Sequence, residues 1–390
     1  MGKFRHDCDQ TSLGFNALET SPVTYQLARR LSCDCQKTFH AATANTFQLA
    51  HGPNHDRIEL GTETRECIPV PKKVMIDADP GISDALAIAL ALHDPELDVV
   101  ALTAVAGRVS ATQASRNLFT LLETIDPPKY PRLGVADSPE VVADPVLFAG
   151  EFPEDIETDR RLHGPQGLGD WPVGDAELHH PRSAAKLMIE TTREHPGEVT
   201  LITLGPLTTV ALAIELDPEF PMRLGGLVSM AGSLGPGDIS PAAEFNVGYH
   251  PTSARYVLRY PSTKTLVPLD LARKAILTFD RVQQIRFDED RMTGHFLRSI
   301  LGYALRSQHE ELGMEGLWLN DLVAIAAVAQ PQFFQRENMA VEVETEGRTT
   351  RGMTLFDRRP RPRWRPNIEV LTEVDAVGVL DYVARTLPSA

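Results

Sequence analysis

Hydrophobic and polar positions divide the chain into two regimes. Residues 1–72 mix short polar and apolar stretches without a sustained period, whereas from Lys73 onward short apolar runs alternate with longer helical patterns. Val74–Ile76 and Val99–Val105 read as buried strands, and Ser83–Leu92 and Thr112–Ile125 read as helices. The alternation returns at Val199–Thr203, at Thr208–Glu215 and at Gly226–Met230. A strand that is apolar on both faces needs cover on both. The βαβα order therefore predicts an α/β, Rossmann-like domain, with one mixed and largely parallel sheet flanked by helices. That domain is expected over residues 73–390. The N-terminal extension, 1–72, reads as poorly ordered or loosely docked, or as sequence upstream of the true start. In such sheets ligands sit outside the carboxyl ends of the strands, so polar residues just after each strand are the candidates.

Composition narrows the partners. With 390 residues, 42% hydrophobic and 23% charged, the chain can bury a large core. Its 53 acidic against 38 basic residues give a net charge of −15, which disfavours nucleic acid and anionic membrane surfaces and favours small molecules or cations. No stretch reaches the roughly 20 apolar residues that span a bilayer. The N-terminus carries Lys3, Arg5, His6 and Asp7 with no apolar run behind them, so the cytoplasm is the expected location. Cys8, Cys33, Cys35 and Cys67 make no disulfide framework, and Cys33 and Cys35 with His40 lack the second spaced pair of a zinc site. One dense basic run, Arg358 to Arg365, is interleaved with prolines and reads as an extended surface loop, better suited to a partner contact than to nucleic acid.

The richest chemistry is Asp77-Ala78-Asp79-Pro80-Gly81-Ile82-Ser83-Asp84, three carboxylates in the turn between a buried strand and a helix. Helix capping by Ser83 or Asp84 accounts for one such group, not for three. Their mutual repulsion calls for a hard cation, and Ca2+ takes six to eight oxygen ligands of this kind. A strand ending in Asp-x-Asp also opens haloacid-dehalogenase-like, magnesium-dependent phosphatases, but there the second Asp is not followed by Pro-Gly.

With Asp84, Asp77-Ala78-Asp79-Pro80-Gly81 resembles the opening signature of the inosine/uridine-preferring nucleoside hydrolases. Further blocks follow in that family's order: Val105-Ala106-Gly107, His163 to Gly169, Leu204 to Thr208, Ala243 to Asn246, Val267 to Asp270, Asn320-Asp321 and Thr350 to Thr354. The resemblance covers roughly residues 73–385. It implies hydrolysis of the N-glycosidic bond of a ribonucleoside to ribose and free base. It also implies Ca2+ held by Asp79, Asp84, Asp321 and the Leu204 carbonyl, with Asp79 as general base, Asp77 orienting it, and a homo-oligomer, dimer or tetramer. Glu244 and Asn246, two apart, would share one face of an extended segment and grip ribose hydroxyls, or form a polar loop face. Asp238 stands where the family places an asparagine that touches ribose, at the end of a glycine-rich loop, Gly232 to Gly237, that could fold over substrate. His163 could sit near the base or be structural, and Trp318 could stack on the base or belong to the core.

Departures from the family pattern fall at the site. Ser83 replaces a second aspartate, Arg108 an asparagine, Asn320 a histidine that helps protonate the leaving base, and His250 the Asp of an Asp-Pro pair. The exchanges at Ser83 and Arg108 make the pocket less negative. Arg108 could contact an anionic group such as a ribose phosphate, or pair with Asp77 or Asp238. A binding protein that keeps the ribosyl pocket without turnover is the alternative to an enzyme.

Overall fold

The computed structural model describes residues 70–137, 160–175 and 181–387. The N-terminal extension up to residue 69, with Cys33, Cys35, His40 and Cys67, lies outside the described residues. Among those described, one sheet has eight strands in the order β3-β2-β1-β4-β5-β6-β12-β9. These are β1 (Lys72–Ala78), β2 (Leu97–Ala104), β3 (Arg132–Gly134), β4 (Thr200–Thr203), β5 (Gly226–Met230), β6 (Lys264–Val267), β9 (Phe334–Met339) and β12 (Ile368–Val374). Every neighbouring pair is parallel except β12 with β9, which is antiparallel and closes one edge. The expected mixed, largely parallel α/β sheet is therefore what forms. Two short antiparallel pairs lie apart from it: β7 (Ile276–Thr278) with β8 (Gly316–Trp318), and β10 (Val341–Val343) with β11 (Thr354–Phe356).

Side chains alternate across the sheet, and both faces are covered. Val74, Ile76 and Ala78 of β1 pack into one core with helices α1 (Ile82–His93), α2 (Ala111–Ile125), α8 (Met292–Leu312), α9 (Asn320–Ala329) and α10 (Ala376–Thr386). Met75 points the other way, to α3 (Ala184–Glu194), α4 (Thr208–Leu216) and α6 (Pro251–Arg259). Two further short helices, α5 (Phe245–Tyr249) and α7 (Leu269–Ala272), follow β5 and β6. The Ala-rich α1 is buried over nearly its whole length, which explains why its sequence is apolar all round rather than striped. Among the described residues no helix is long and apolar enough to cross a membrane.

From β1 the chain runs outward through β2 to β3, then returns to β4 on the other side of β1 and continues to β5 and β6. The order reverses between β1 and β4, and the crevice at their carboxyl ends is where such sheets bind ligands. The basic run is not a loose tail: the buried Asp357 carboxylate accepts from Arg359 Nε and Nη2 (both 2.6 Å), Arg363 N (2.8 Å) and Trp364 N (2.9 Å), winding the loop about itself.

Candidate active site

At the reversal point a cavity of about 350 Å3 opens, lined by residues from the ends of most of these strands. Asp79, the first residue past β1, lies on its floor, wedged between two backbones. A Cβ on Gly107 would strike the Asp79 carboxylate from one side, and a Cβ on Gly205 would come within 2.6 Å of its Oδ1 from the other. Only glycine lets the chains after β2 and β4 come this close. The Arg108 N–H donates to Asp79 Oδ2 at 2.6 Å.

Asp84 and Asp321 complete the floor. Asp84, in the first turn of α1, accepts the Gly81 N–H on Oδ2 at 3.0 Å, while its Oδ1 is buried with no hydrogen-bond partner among the described residues. Capping thus accounts for one oxygen of this carboxylate and leaves the other. Asp321 lies in the first turn of α9, and its N–H donates to Ser83 Oγ at 3.5 Å. Burial raises the pKa of all three carboxyls, that of Asp84 to about 6, and the charge of Asp84 pushes Asp79 and Asp321 further up. The Leu204 carbonyl lines the same cavity after β4 and accepts Asn246 Nδ2 at 2.7 Å, which uses one of its two lone pairs.

The donor set is all oxygen, three of the groups are buried carboxyls, and one carboxylate oxygen is orphaned. These residues fit a hard divalent cation. Among the described residues no three His, Cys, Asp or Glu side chains are drawn together into a closed ligand group. The convergence is of carboxylates with a carbonyl around open space.

The far wall differs from its expected form. Glu244 and Asn246 are not on an extended segment: Glu244 is the N-cap of α5 and accepts from Asn246 N (2.8 Å), Val247 N (3.1 Å) and Gly232 N (2.8 Å). A helix start has four unpaired N–H groups, and satisfying them overrides the alternation of a strand. Both residues still line the cavity, and Asn246 Nδ2 is fixed by the Leu204 and Met230 carbonyls. Burial and the neighbouring Asp238 raise the Glu244 carboxyl to about 8. The glycine-rich loop is pinned rather than loose. Ser233 exchanges hydrogen bonds with Thr354, and Asp270 Oδ1 accepts from Ser233 Oγ and Leu234 N.

The remaining predicted residues separate. Asp77 is not among the residues lining the cavity: its buried side chain accepts Thr103 Oγ at 2.7 Å, and its backbone carbonyl accepts Leu204 N. Because it lies on β1 itself, strand alternation turns it to the sheet face rather than toward Asp79's cavity. His250 is likewise absent from the lining and caps α6, its Nδ1 accepting Ser253 N at 3.1 Å, the capping work an Asp would do. Ser83, Arg108, His163, Asp238, Trp318 and Asn320 all line the cavity. His163 Nδ1 accepts the Ile82 N–H at 3.3 Å, which puts the ring proton of the neutral form on Nε2, and burial lowers its pKa to about 3. Asn320 Oδ1 is buried without a hydrogen-bond partner among the described residues. The Arg108 guanidinium sits over Phe245, its Cζ 4.1 Å from the ring centroid. Asp238, one of its expected partners, faces Arg273, with 3.6 Å between Oδ2 and Nη2.

Arg273 escaped the sequence reading. It stacks on Trp318 with Cζ 4.1 Å from the ring centroid, and both line the cavity. The rule that polar residues after strand ends form the site contained the signal, because Arg273 ends the single helical turn after β6.

The sequence profile of inosine-uridine preferring nucleoside hydrolases matches residues 74–381. This chain belongs to that family. It is an N-ribosyl nucleoside hydrolase, and its substrate is a small-molecule nucleoside. The phosphatase alternative falls with that finding. A pyrimidine-specific ribonucleoside hydrolase of Klebsiella pneumoniae is 33% identical over 319 residues, covering 80% of this chain and 97% of its own. A plant nucleoside hydrolase, PpNRh1, superimposes with a TM-score of 0.70 at 30% identity, covering 82% of this chain and 100% of its own. A purine-preferring ribonucleoside hydrolase from Gardnerella vaginalis shares the fold, with a TM-score of 0.72 at 24% identity over 82% of this chain and 100% of its own. The nucleoside hydrolase cavity thus carries, in this chain, an arginine pair on aromatic rings together with its carboxylates.

Proposed function

We propose that this nucleoside hydrolase works with Ca2+ held by Asp79, Asp84, Asp321 and the Leu204 carbonyl, and that Asp79 is the general base. The observation that supports this best is the wedging of Asp79 between Gly107 and Gly205, on a floor shared with two other buried carboxyls. When bound, a divalent cation supplies positive charge that favours the ionised carboxylates and makes an adjacent water more acidic.

Breaking the bond between the ribose anomeric carbon and the base nitrogen builds positive charge on the sugar ring. Asp79 takes one proton from the attacking water as its oxygen bonds to that carbon, and the bonding pair leaves with the base nitrogen. The Arg108 N–H fixes the carboxylate's orientation through Oδ2. Asp77 acts on Asp79 only through the backbone, by holding Leu204 N with its carbonyl. Ser83 steadies Asp321 through its N–H instead of gripping ribose as the family's aspartate would.

Glu244 meets three backbone donors with roughly four lone-pair sites, which leaves one for a ribose hydroxyl, and Asn246 offers its amide oxygen beside it. His163 presents an Nε2–H donor that stays neutral at working pH. Asn320 offers an amide where the family has an imidazole, so it can hold the leaving base but not protonate it, and the base takes its proton from solvent. A homodimer or tetramer in the cytoplasm is part of the same reading and rests on the family alone; light scattering checks the assembly.

Ribose release measured as reducing sugar from uridine, cytidine and inosine, with calcium and after chelation, tests the proposal. The specificity of the Klebsiella relative puts uridine and cytidine first. Release that stops on chelation, returns with calcium and is lost in Asp79→Asn is expected. Release indifferent to chelator sinks the metal assignment, and full turnover by Asp79→Asn sinks the base.

A further inference from the structure

Two guanidinium groups stand in a cavity whose floor is carboxylate. Arg108 enters from the end of β2 and Arg273 from the end of α7, and each is stacked on an aromatic ring that lines the same cavity, Phe245 and Trp318. A guanidinium stacked flat keeps its N–H donors in one plane and available edge-on, the geometry that grips phosphate or carboxylate.

Arg273 is incompletely matched by the protein around it. Its Nη2 is 3.6 Å from Asp238 Oδ2, beyond hydrogen-bond reach. The other Asp238 oxygen already accepts the Phe245 N–H at 2.8 Å. The Arg273 Nε is buried with no hydrogen-bond partner among the described residues. Burial disfavours its charged form, Asp238, Glu244 and Asp270 favour it, and the nearby positive charge of Arg108 opposes it. The nearby carboxylates offset the charge of Arg273 without satisfying its Nε, and an anionic group on a ligand supplies the missing acceptor.

We propose that the nucleoside taken by this site carries an anionic group, a phosphate or a carboxylate, which Arg273 grips from its Trp318 platform with Arg108 as the second cation. The inference rests on the nucleoside hydrolase reading and names the substrate class within it. It gives Trp318 a definite part, since one face of the ring backs the guanidinium. Arg273 is then a specificity-determining residue, remote in sequence from the acidic loop and lining the same cavity.

The test compares kcat/KM for three substrates on the full chain with calcium: uridine, uridine 5′-monophosphate, and a uridine bearing a 6-carboxylate. The first is neutral, the second puts phosphate on the ribose, and the third puts carboxylate on the base. Wild type is expected to favour one of the anionic substrates over uridine by about 10-fold or more, and Arg273→Ala to lower that preference by about 10- to 100-fold, the worth of a charge-assisted hydrogen bond. Arg273→Gln, which keeps a planar group on Trp318, replaces the alanine variant if that melts early. Calorimetry of ribose 5-phosphate against ribose reads the phosphate arm without turnover.

Uridine turnover with no preference for either anion, or a preference unchanged in Arg273→Ala, overturns this inference and leaves the hydrolase reading standing. No turnover of any substrate, with ribose 5-phosphate binding that is lost in Arg273→Ala, supports the anion site and overturns the hydrolase reading instead.

Discussion

The floor and the far wall of this cavity are built in opposite ways. Asp79 and Asp84 lie five residues apart on one strand-to-helix turn, and Asp321 opens the helix packed beside it. Arg108, Phe245, Arg273 and Trp318 come from four separate connections and meet only in three dimensions. Burial pushes the carboxyls up, the charge of Asp84 adds to this at Asp79 and Asp321, and Arg108 opposes it. The guanidinium groups are each backed by a ring, and Arg273 Nε has no hydrogen-bond partner among the described residues. Two of the three floor carboxylates thus come from one local motif, while the arginines and their rings are dispersed along the chain.

Breaking the floor should cost most. Asp79→Asn keeps the shape and removes the base, and kcat is expected to fall by about 10^3-fold or more, at the upper range for acid–base groups. A loss under 10-fold in a reducing-sugar assay would move the base elsewhere.

The floor should also respond to pH and cation together. In metal-free protein Asp84 is raised from 3.8 to about 6 and Glu244 from 4.5 to about 8. Between those limits the folded state binds more protons than the unfolded one, so stability should fall as pH rises from about 4 through about 8. Calcium needs the ionised carboxylates and reverses the trend. At about 100 times its dissociation constant it adds about 2.7 kcal/mol. Thermal melts should show a larger gain from calcium at pH 8 than at pH 5, and equal gains would argue against carboxylate ligation.

Gly205→Ala probes the wedge. Its methyl would lie 2.6 Å from Asp79 Oδ1, so either the carboxylate or the backbone after β4 must shift, at about 1–3 kcal/mol of stability. Calcium affinity, followed by calorimetry, should fall with it; a variant that melts and binds calcium like wild type would mean Asp79 is not held there.

The smallest effect sharpens the contrast from outside the cavity. His250→Ala removes the α6 cap and should cost about 1 kcal/mol on denaturant unfolding while kcat stays the same. A drop in kcat without loss of stability would return His250 to the site.

Much of the fold was legible because its signals are local. The strands from Val74, Val99, Val199 and Gly226 and the helices after them came from runs of buried residues, and the structure moves their ends by no more than two positions. The acidic turn was legible for the same reason. Glu244 shows where that logic stops: spacing suggested a strand face, but three unpaired N–H groups made it a helix cap. Asp77 carries the family's residue and His250 departs from it, and sheet alternation and helix capping take both out of the cavity lining.

By itself the sequence determined the α/β layering, the reversal-point location and the carboxylate floor, because burial periodicity and a charged turn act over a few residues. Only the tertiary structure decided that Gly107 and Gly205 clamp Asp79, that Asp238 faces Arg273, and that Arg273 lies on Trp318. Those contacts join residues tens to hundreds of positions apart, and no local propensity encodes which distant loops the packed sheet brings together.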